Sequence, residues 1–129
     1  MEPAALDLTP EDVLIVEDDL LIALDFEETM IGFGAKTVRT AATVARALEM
    51  ITDRAPDFAL LDVGLIREKS FAIAERLDAL EIPFVFVTGY GANGAFPPAF
   101  ADKPILPKPC STEALRAVLR RQSGDGASR

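Results

Sequence analysis

Phe58-Ala59-Leu60-Leu61-Asp62 is an unbroken apolar run that ends on a carboxylate. Four consecutive apolar residues without polar alternation mark a strand covered on both faces, as in a parallel sheet with helices on either side. Three other runs have the same form. Val13-Leu14-Ile15-Val16 ends on Glu17 and Asp18, Phe84-Val85-Phe86-Val87 on Thr88, and Ile105-Leu106-Pro107 on Lys108. If these runs are neighbouring parallel strands, the polar side chains gather at one edge of one sheet, where open α/β folds bind ligands.

Helical patterns fill the intervals. Asp19 is a candidate N-cap for a helix through Ile22, Phe26 and Met30, spaced i, i+4, i+8, which Gly32 and Gly34 end. A weaker strand over residues 35–39 leads to a helix from about Ala41, with Val44, Leu48 and Ile51 on its inner face and Pro56 closing the segment. Gly64 supplies a flexible loop after Asp62. A third helix from about Ser70 turns Phe71, Ala74 and Leu77 toward the sheet and stops before Pro83. The last begins after Ser111, with Leu115, Val118 and Leu119 inward.

Where a fourth full helix is due, the chain reads Gly89-Tyr90-Gly91-Ala92-Asn93-Gly94 and then Phe96-Pro97-Pro98, too rich in glycine and proline for a long stable helix. Five strands alternating with helices, the fourth helix degraded or short, predict a doubly wound α/β fold with right-handed crossovers and helices on both faces of a parallel sheet. Residues 1–11 read as an N-terminal lead, 12–121 as the domain, and 122–129 as a frayed C-terminal tail.

Composition bounds the function. At 129 residues, half of them apolar, the chain can bury one core without staples. Its 13 basic and 21 acidic residues give a net charge of −8 with no basic stripe, which argues against nucleic-acid binding. One cysteine and no histidine leave no internal disulfide and none of the usual zinc or copper ligands. Any metal is therefore expected to be a hard, oxygen-liking ion such as Mg²⁺. With neither a signal segment nor an 18-residue apolar span, a cytoplasmic setting without membrane contact is expected.

The gathered residues have a coherent chemistry. An aspartate can attack phosphorus and hold the group as a mixed anhydride, provided a cation screens the repulsion between carboxylate and phosphoryl group. Glu17 and Asp18 beside Asp62 would hold Mg²⁺ there, with a backbone carbonyl near Gly64 and waters completing the shell and Glu17 reaching the metal through water. The Thr88 hydroxyl and Lys108 would hold the remaining phosphoryl oxygens. Gly89 leaves room for the incoming group. Taken singly, each residue also reads as a helix cap, a strand end or a solvated lysine. The weight lies in the conjunction: acidic pair, aspartate, threonine and lysine, each closing its own strand.

In that order the chain resembles the receiver domains of two-component response regulators, from about Val13 to Arg121. The matching text is Val13-Leu14-Ile15-Val16-Glu17-Asp18-Asp19, Leu60-Leu61-Asp62, Val87-Thr88-Gly89 and Pro107-Lys108-Pro109. The resemblance implies a flavodoxin-like sheet in the order 2-1-3-4-5, with phosphorylation of Asp62 by a histidine kinase or phosphotransfer protein and a cis peptide before Pro109. The donor histidine must belong to another protein, since this chain has none.

Phe86-Val87-Thr88-Gly89-Tyr90-Gly91 is similar to the signature of the FATGUY receivers, stand-alone domains linked to kinases of the general stress response, with Val87 in place of their usual alanine. Most receivers carry an aromatic switch residue three positions before the lysine. Here that residue is Ile105, and Tyr90, two positions after Thr88, is the alternative switch candidate. The resulting expectation is a monomeric regulator that signals by protein–protein contact, as a kinase modulator or a phosphate sink. A non-phosphorylated scaffold is the first alternative. An aspartate-nucleophile phosphohydrolase is disfavoured because such enzymes need a second aspartate where this chain has Gly64, and a flavin protein because no phosphate loop follows the first strand.

Overall fold

The computed structural model describes residues 10–65, 68–89, 100, 103–108 and 110–127. In chain order the elements are β1 (Asp12–Val16), α1 (Leu20–Gly32), β2 (Thr37–Ala41), α2 (Val44–Asp53), β3 (Phe58–Asp62), β4 (Gly64–Leu65), β5 (Glu68–Lys69), α3 (Phe71–Ala79), β6 (Phe84–Thr88), β7 (Ile105–Pro107) and α4 (Thr112–Ala127). Five strands form one parallel sheet ordered β2-β1-β3-β6-β7. Counting that sheet's own strands, this is the order 2-1-3-4-5. β4 and β5 pair with each other as a small antiparallel hairpin.

Alternation along the strands divides the core into two layers. Leu14, Leu61 and Phe86 face Ala47 and Ile51 of α2 and Ile73 and Leu77 of α3. Val13, Leu60 and Val85 face Phe26 and Met30 of α1 and Leu115 and Val118 of α4. The central strands are therefore apolar on both faces, as their unbroken runs predict. Edge-to-face ring pairs stiffen the first layer, with centroids 5.3 Å apart for Phe84–Phe86 and 5.7 Å for Phe86–Phe100. Such pairs contribute about 0.5–1.5 kcal/mol beyond their buried area.

At the end of the sheet away from Asp62, the Asp12 carboxylate pairs with Arg39 at 3.1 Å and Arg54 at 2.8 Å. Arg39 also donates to the carbonyls of Met50 and Arg54, tying β2 to the end of α2. Asp57 accepts from the Asp12 N–H at 3.0 Å, fixing the approach to β3. These contacts set the strand register from which the opposite edge is built.

Four expectations need revision. β2 begins at Thr37 rather than residue 35, because the Ala35 N–H closes α1 on the Met30 carbonyl and Lys36 and Thr37 both donate to Glu11 O. α2 starts at Val44 rather than about Ala41, because Ala41 still belongs to β2 and the Thr43 hydroxyl caps the helix by accepting from the Arg46 N–H at 3.1 Å. The segment after Asp62 is not a plain loop: Gly64 pairs with Lys69 and Leu65 with Glu68. α4 continues through Ala127, beyond residue 121 where fraying is expected. Tyr90, the glycine- and proline-rich stretch over 90–99, and the peptide before Pro109 lie outside the described residues.

Candidate functional site

The register brings the strand ends level. Val16 pairs with Leu61, so Glu17 follows β1 beside Asp62 at the end of β3. Asp62 pairs with Val87, one residue before Thr88, and Thr88 pairs with Pro107, one residue before Lys108. The Lys108 N–H donates to the Thr88 carbonyl at 2.8 Å, holding the lysine at the sheet edge. Glu17, Asp62 and Thr88 are buried, while Asp18 is half-buried.

Side-chain geometry tightens this group. Lys108 Nζ lies 2.8 Å from Glu17 Oε1 and 3.3 Å from Asp62 Oδ1. The other oxygen, Glu17 Oε2, accepts from the Asp19 N–H at 3.0 Å, and Asp62 Oδ1 accepts from the Gly64 N–H at 3.3 Å. One carboxylate oxygen from each of Glu17, Asp18 and Asp62 lies within 4.8 Å of the others. Lys108, the expected holder of a phosphoryl oxygen, donates from its ammonium to Glu17 Oε1.

Electrostatics follow from one ammonium among buried carboxylates. Burial pushes the Glu17 carboxyl above its ordinary 4.5. The Lys108 and Asp19 hydrogen bonds oppose that rise, and the Asp62 charge adds to it. Burial draws the Lys108 ammonium down, but the Glu17 hydrogen bond and the charges of Asp62 and Glu17 outweigh it and leave the pKa raised. Both directions are consistent: the lysine has two anionic neighbours, while Glu17 has one cation and a competing anion.

The donor set fits a hard cation. It is all carboxylate oxygen and close-set, which suits Mg²⁺ better than a soft metal. Burial raises the pKa of the Cys110 thiol, Lys108 opposes the rise and Asp25 adds to it, so the thiol is not primed as a ligand. Cys110 instead donates to the Pro107 carbonyl at 3.0 Å and lines a 260 Å³ cavity with Ile22, Asp25, Phe26 and Lys108. Gly89 is exposed, with open space where a Cβ would stand. Ile105 is exposed on β7.

Asp19 has two roles of which the sequence signals one. Its carboxylate caps α1, accepting from the N–H groups of Leu21 at 3.0 Å and Ile22 at 3.2 Å, while its own N–H holds Glu17. Spacing reveals the cap; it says nothing of the contact back to Glu17.

Residues 13–120 match the family model described as the response regulator receiver domain. The chain belongs to that family. Receiver domains are signalling domains, generally not enzymes, and they work with kinases or phosphotransfer proteins. This receiver is similar to the phyllosphere-induced regulator PhyR of Methylorubrum extorquens, at 32% identity over 87% of this chain and 45% of the relative. A solved structure of the PhyR stress response regulator is 30% identical with a TM-score of 0.73, covering 90% of this chain and 46% of that one. The solution structure of SdrG from Sphingomonas melonis Fr1 is 41% identical with a TM-score of 0.75, covering 84% of this chain and 92% of that one. SdrG in its BeF3-activated conformation is 37% identical with a TM-score of 0.73, over 87% of this chain and 95% of that one. The receiver spans about half the length of the curated relatives it matches. Among the described residues no helix is long and apolar enough to cross a membrane.

Proposed function

We propose that this receiver accepts a phosphoryl group on Asp62 from a phosphohistidine of a kinase or phosphotransfer protein, in the cytoplasm, and signals as a monomer through protein–protein contact. The observation that carries the reading is the Lys108 ammonium set 2.8 Å from Glu17 and 3.3 Å from Asp62, within a trio of close-set carboxylates. An Asp62 oxygen forms the new O–P bond as the P–N bond breaks; the leaving imidazole nitrogen keeps the electron pair and takes a proton from solvent. Asp18, Asp62 and the Gly64 carbonyl would hold Mg²⁺, with Glu17 reaching it through water, and the ion would screen the repulsion between carboxylate and phosphoryl group. Thr88 and Lys108 hold phosphoryl oxygens once the group has arrived.

Two observations support a protein donor and a binding output. Leu20, Leu21 and Leu24 are exposed on the first turns of α1, directly after the acidic loop, and present an apolar surface beside the site. The net charge of −8 disfavours direct contact with nucleic acid. Likeness to the PhyR stress response regulator supports a role in stress signalling, and kinase modulation or a phosphate sink are the outputs we propose for it. Tyr90 and Ile105 are the candidates for the readout.

The test is incubation with Mg²⁺ and a small phosphodonor such as acetyl phosphate. Wild type should gain one phosphoryl group as an acid-stable, base-labile adduct, and Asp62→Asn should not. Unlabelled wild type would favour a scaffold that is never phosphorylated.

A further inference from the structure

We infer that Asp19 is a positioning residue for the metal site: its side-chain cap on α1 fixes the backbone whose N–H holds Glu17. The inference rests on the proposed Mg²⁺-dependent reading. Glu17 is gripped from two sides, Oε1 by Lys108 at 2.8 Å and Oε2 by the Asp19 N–H at 3.0 Å. If a bound cation competed with Lys108 for the Glu17 charge, the Asp19 N–H would be the contact still orienting that carboxylate. Its direction depends on the extended conformation at Asp19, φ −88° and ψ 113°, which also brings Oδ1 onto the Leu21 and Ile22 N–H groups.

Packing holds this turn at one residue, Ile22, which is half-buried against the core. Leu20 and Leu21 are 71% and 76% exposed, and the first buried residue of α1 is Ala23. The acidic loop therefore leads into a helical turn held by Ile22 packing together with hydrogen bonds, of which Asp19 supplies two through its side chain. Without them the first turn frays, the Asp19 N–H loses its fixed direction, and Glu17 no longer presents its oxygens in one pose. Outer partners that orient a ligand carboxylate act on metal affinity in this way.

The experiment is Mg²⁺ titration by calorimetry of the full chain, with thermal melting as a second readout. Asp19→Ala should bind Mg²⁺ about tenfold more weakly, the scale expected when an orienting partner is lost. Asp19→Asn and Asp19→Ser, which keep a capping oxygen without the charge, should stay within about twofold of wild type. A merely structural cap would lower the melting temperature of Asp19→Ala and leave the Mg²⁺ affinity of the folded protein unchanged, which overturns the inference. Equal weakening in Asn, Ser and Ala variants overturns it too, because charge rather than position would then be responsible. If Asp19→Ala does not fold, Asp19→Gly replaces it with the same expected direction. Absence of Mg²⁺ binding in wild type removes the proposed function as well; binding that Asp19→Ala leaves intact removes the inference alone.

Discussion

Glu17 and Lys108, 91 residues apart in the chain, meet at 2.8 Å, and the same ammonium stands 3.3 Å from Asp62. The contact joins the end of the first strand of the sheet to the residue just past the last. Carboxylate oxygens of Glu17, Asp18 and Asp62 stand together around it. A close-set group of carboxylate oxygens of this kind suits a hard cation.

Replacing Lys108 by methionine keeps the apolar stem and removes the charge. Glu17 and Asp62, with side chains only 1% and 5% exposed, would then face each other without a shared counter-ion. Breaking a buried pair by deleting one partner costs about 3–5 kcal/mol, and the 16% exposure of the lysine side chain reduces that to about 2–3 kcal/mol here. Urea denaturation without metal should show this loss at neutral pH, and saturating Mg²⁺ should recover part of it. A change below about 0.5 kcal/mol would mean that the ion pair does not support the folded state.

Glu17 should give metal-free stability a distinctive pH dependence. Its folded pKa lies above the ordinary 4.5, so the folded state holds this proton more tightly than the unfolded chain does. Stability must then fall as pH rises from 4.5 through the raised value and level off above it, because ionisation puts a charge in a buried site and, to a lesser degree, beside Asp62. Lys108 titrates in the alkaline range and leaves this window untouched. The difference in unfolding free energy between wild type and Glu17→Gln, followed from pH 4.5 upward, should decline with pH. A flat or rising difference would contradict the assigned direction.

What the sequence discloses follows from where each signal is stored. β3 and β6 are legible to the residue because Phe58–Asp62 and Phe84–Thr88 are buried along their whole length and leave no other reading. β2 is read two residues early because Thr37, Val38, Arg39 and Thr40 are at most half-buried, so register rather than hydrophobicity sets its limits. The hairpin of Gly64–Leu65 with Glu68–Lys69 is too short to leave any periodicity. The site residues are recognisable because each closes a strand. The Glu17–Lys108 bond and the second role of Asp19 are not, since they arise only when distant segments are brought side by side.

Ser70 departs from a rule that would otherwise predict harm from its removal. Ser-to-Ala at an N-cap ordinarily costs about 1 kcal/mol. Ser70 precedes α3 but makes no side-chain cap bond, and among the described residues its fully buried hydroxyl has no hydrogen-bond partner. Deleting an unsatisfied buried hydroxyl removes a desolvation penalty of about 1–3 kcal/mol. Ser70→Ala should therefore raise stability by about 1 kcal/mol, or the melting temperature by roughly 3–5 °C. A drop in melting temperature would show that the hydroxyl does have a partner in solution.

Strain at the end of α3 offers the last test. After the C-cap Leu80, Glu81 adopts φ 61°, the left-handed region where a side chain is disfavoured, while its N–H donates to Asp78 O and the Ile82 N–H to Leu77 O. Those two bonds close the helix and hold Glu81 in that conformation. A non-glycine residue there costs about 1–2 kcal/mol, whereas glycine enters freely but brings extra unfolded-state entropy of about 0.5–1 kcal/mol. Glu81→Gly should therefore stabilise the receiver by about 0.5–1 kcal/mol, and Glu81→Ala, which keeps the Cβ, should give no such gain. Urea midpoints of the two variants separate backbone strain from loss of the exposed carboxylate: equal shifts in both would assign the effect to charge, and no gain in the glycine variant would show that the turn is unstrained.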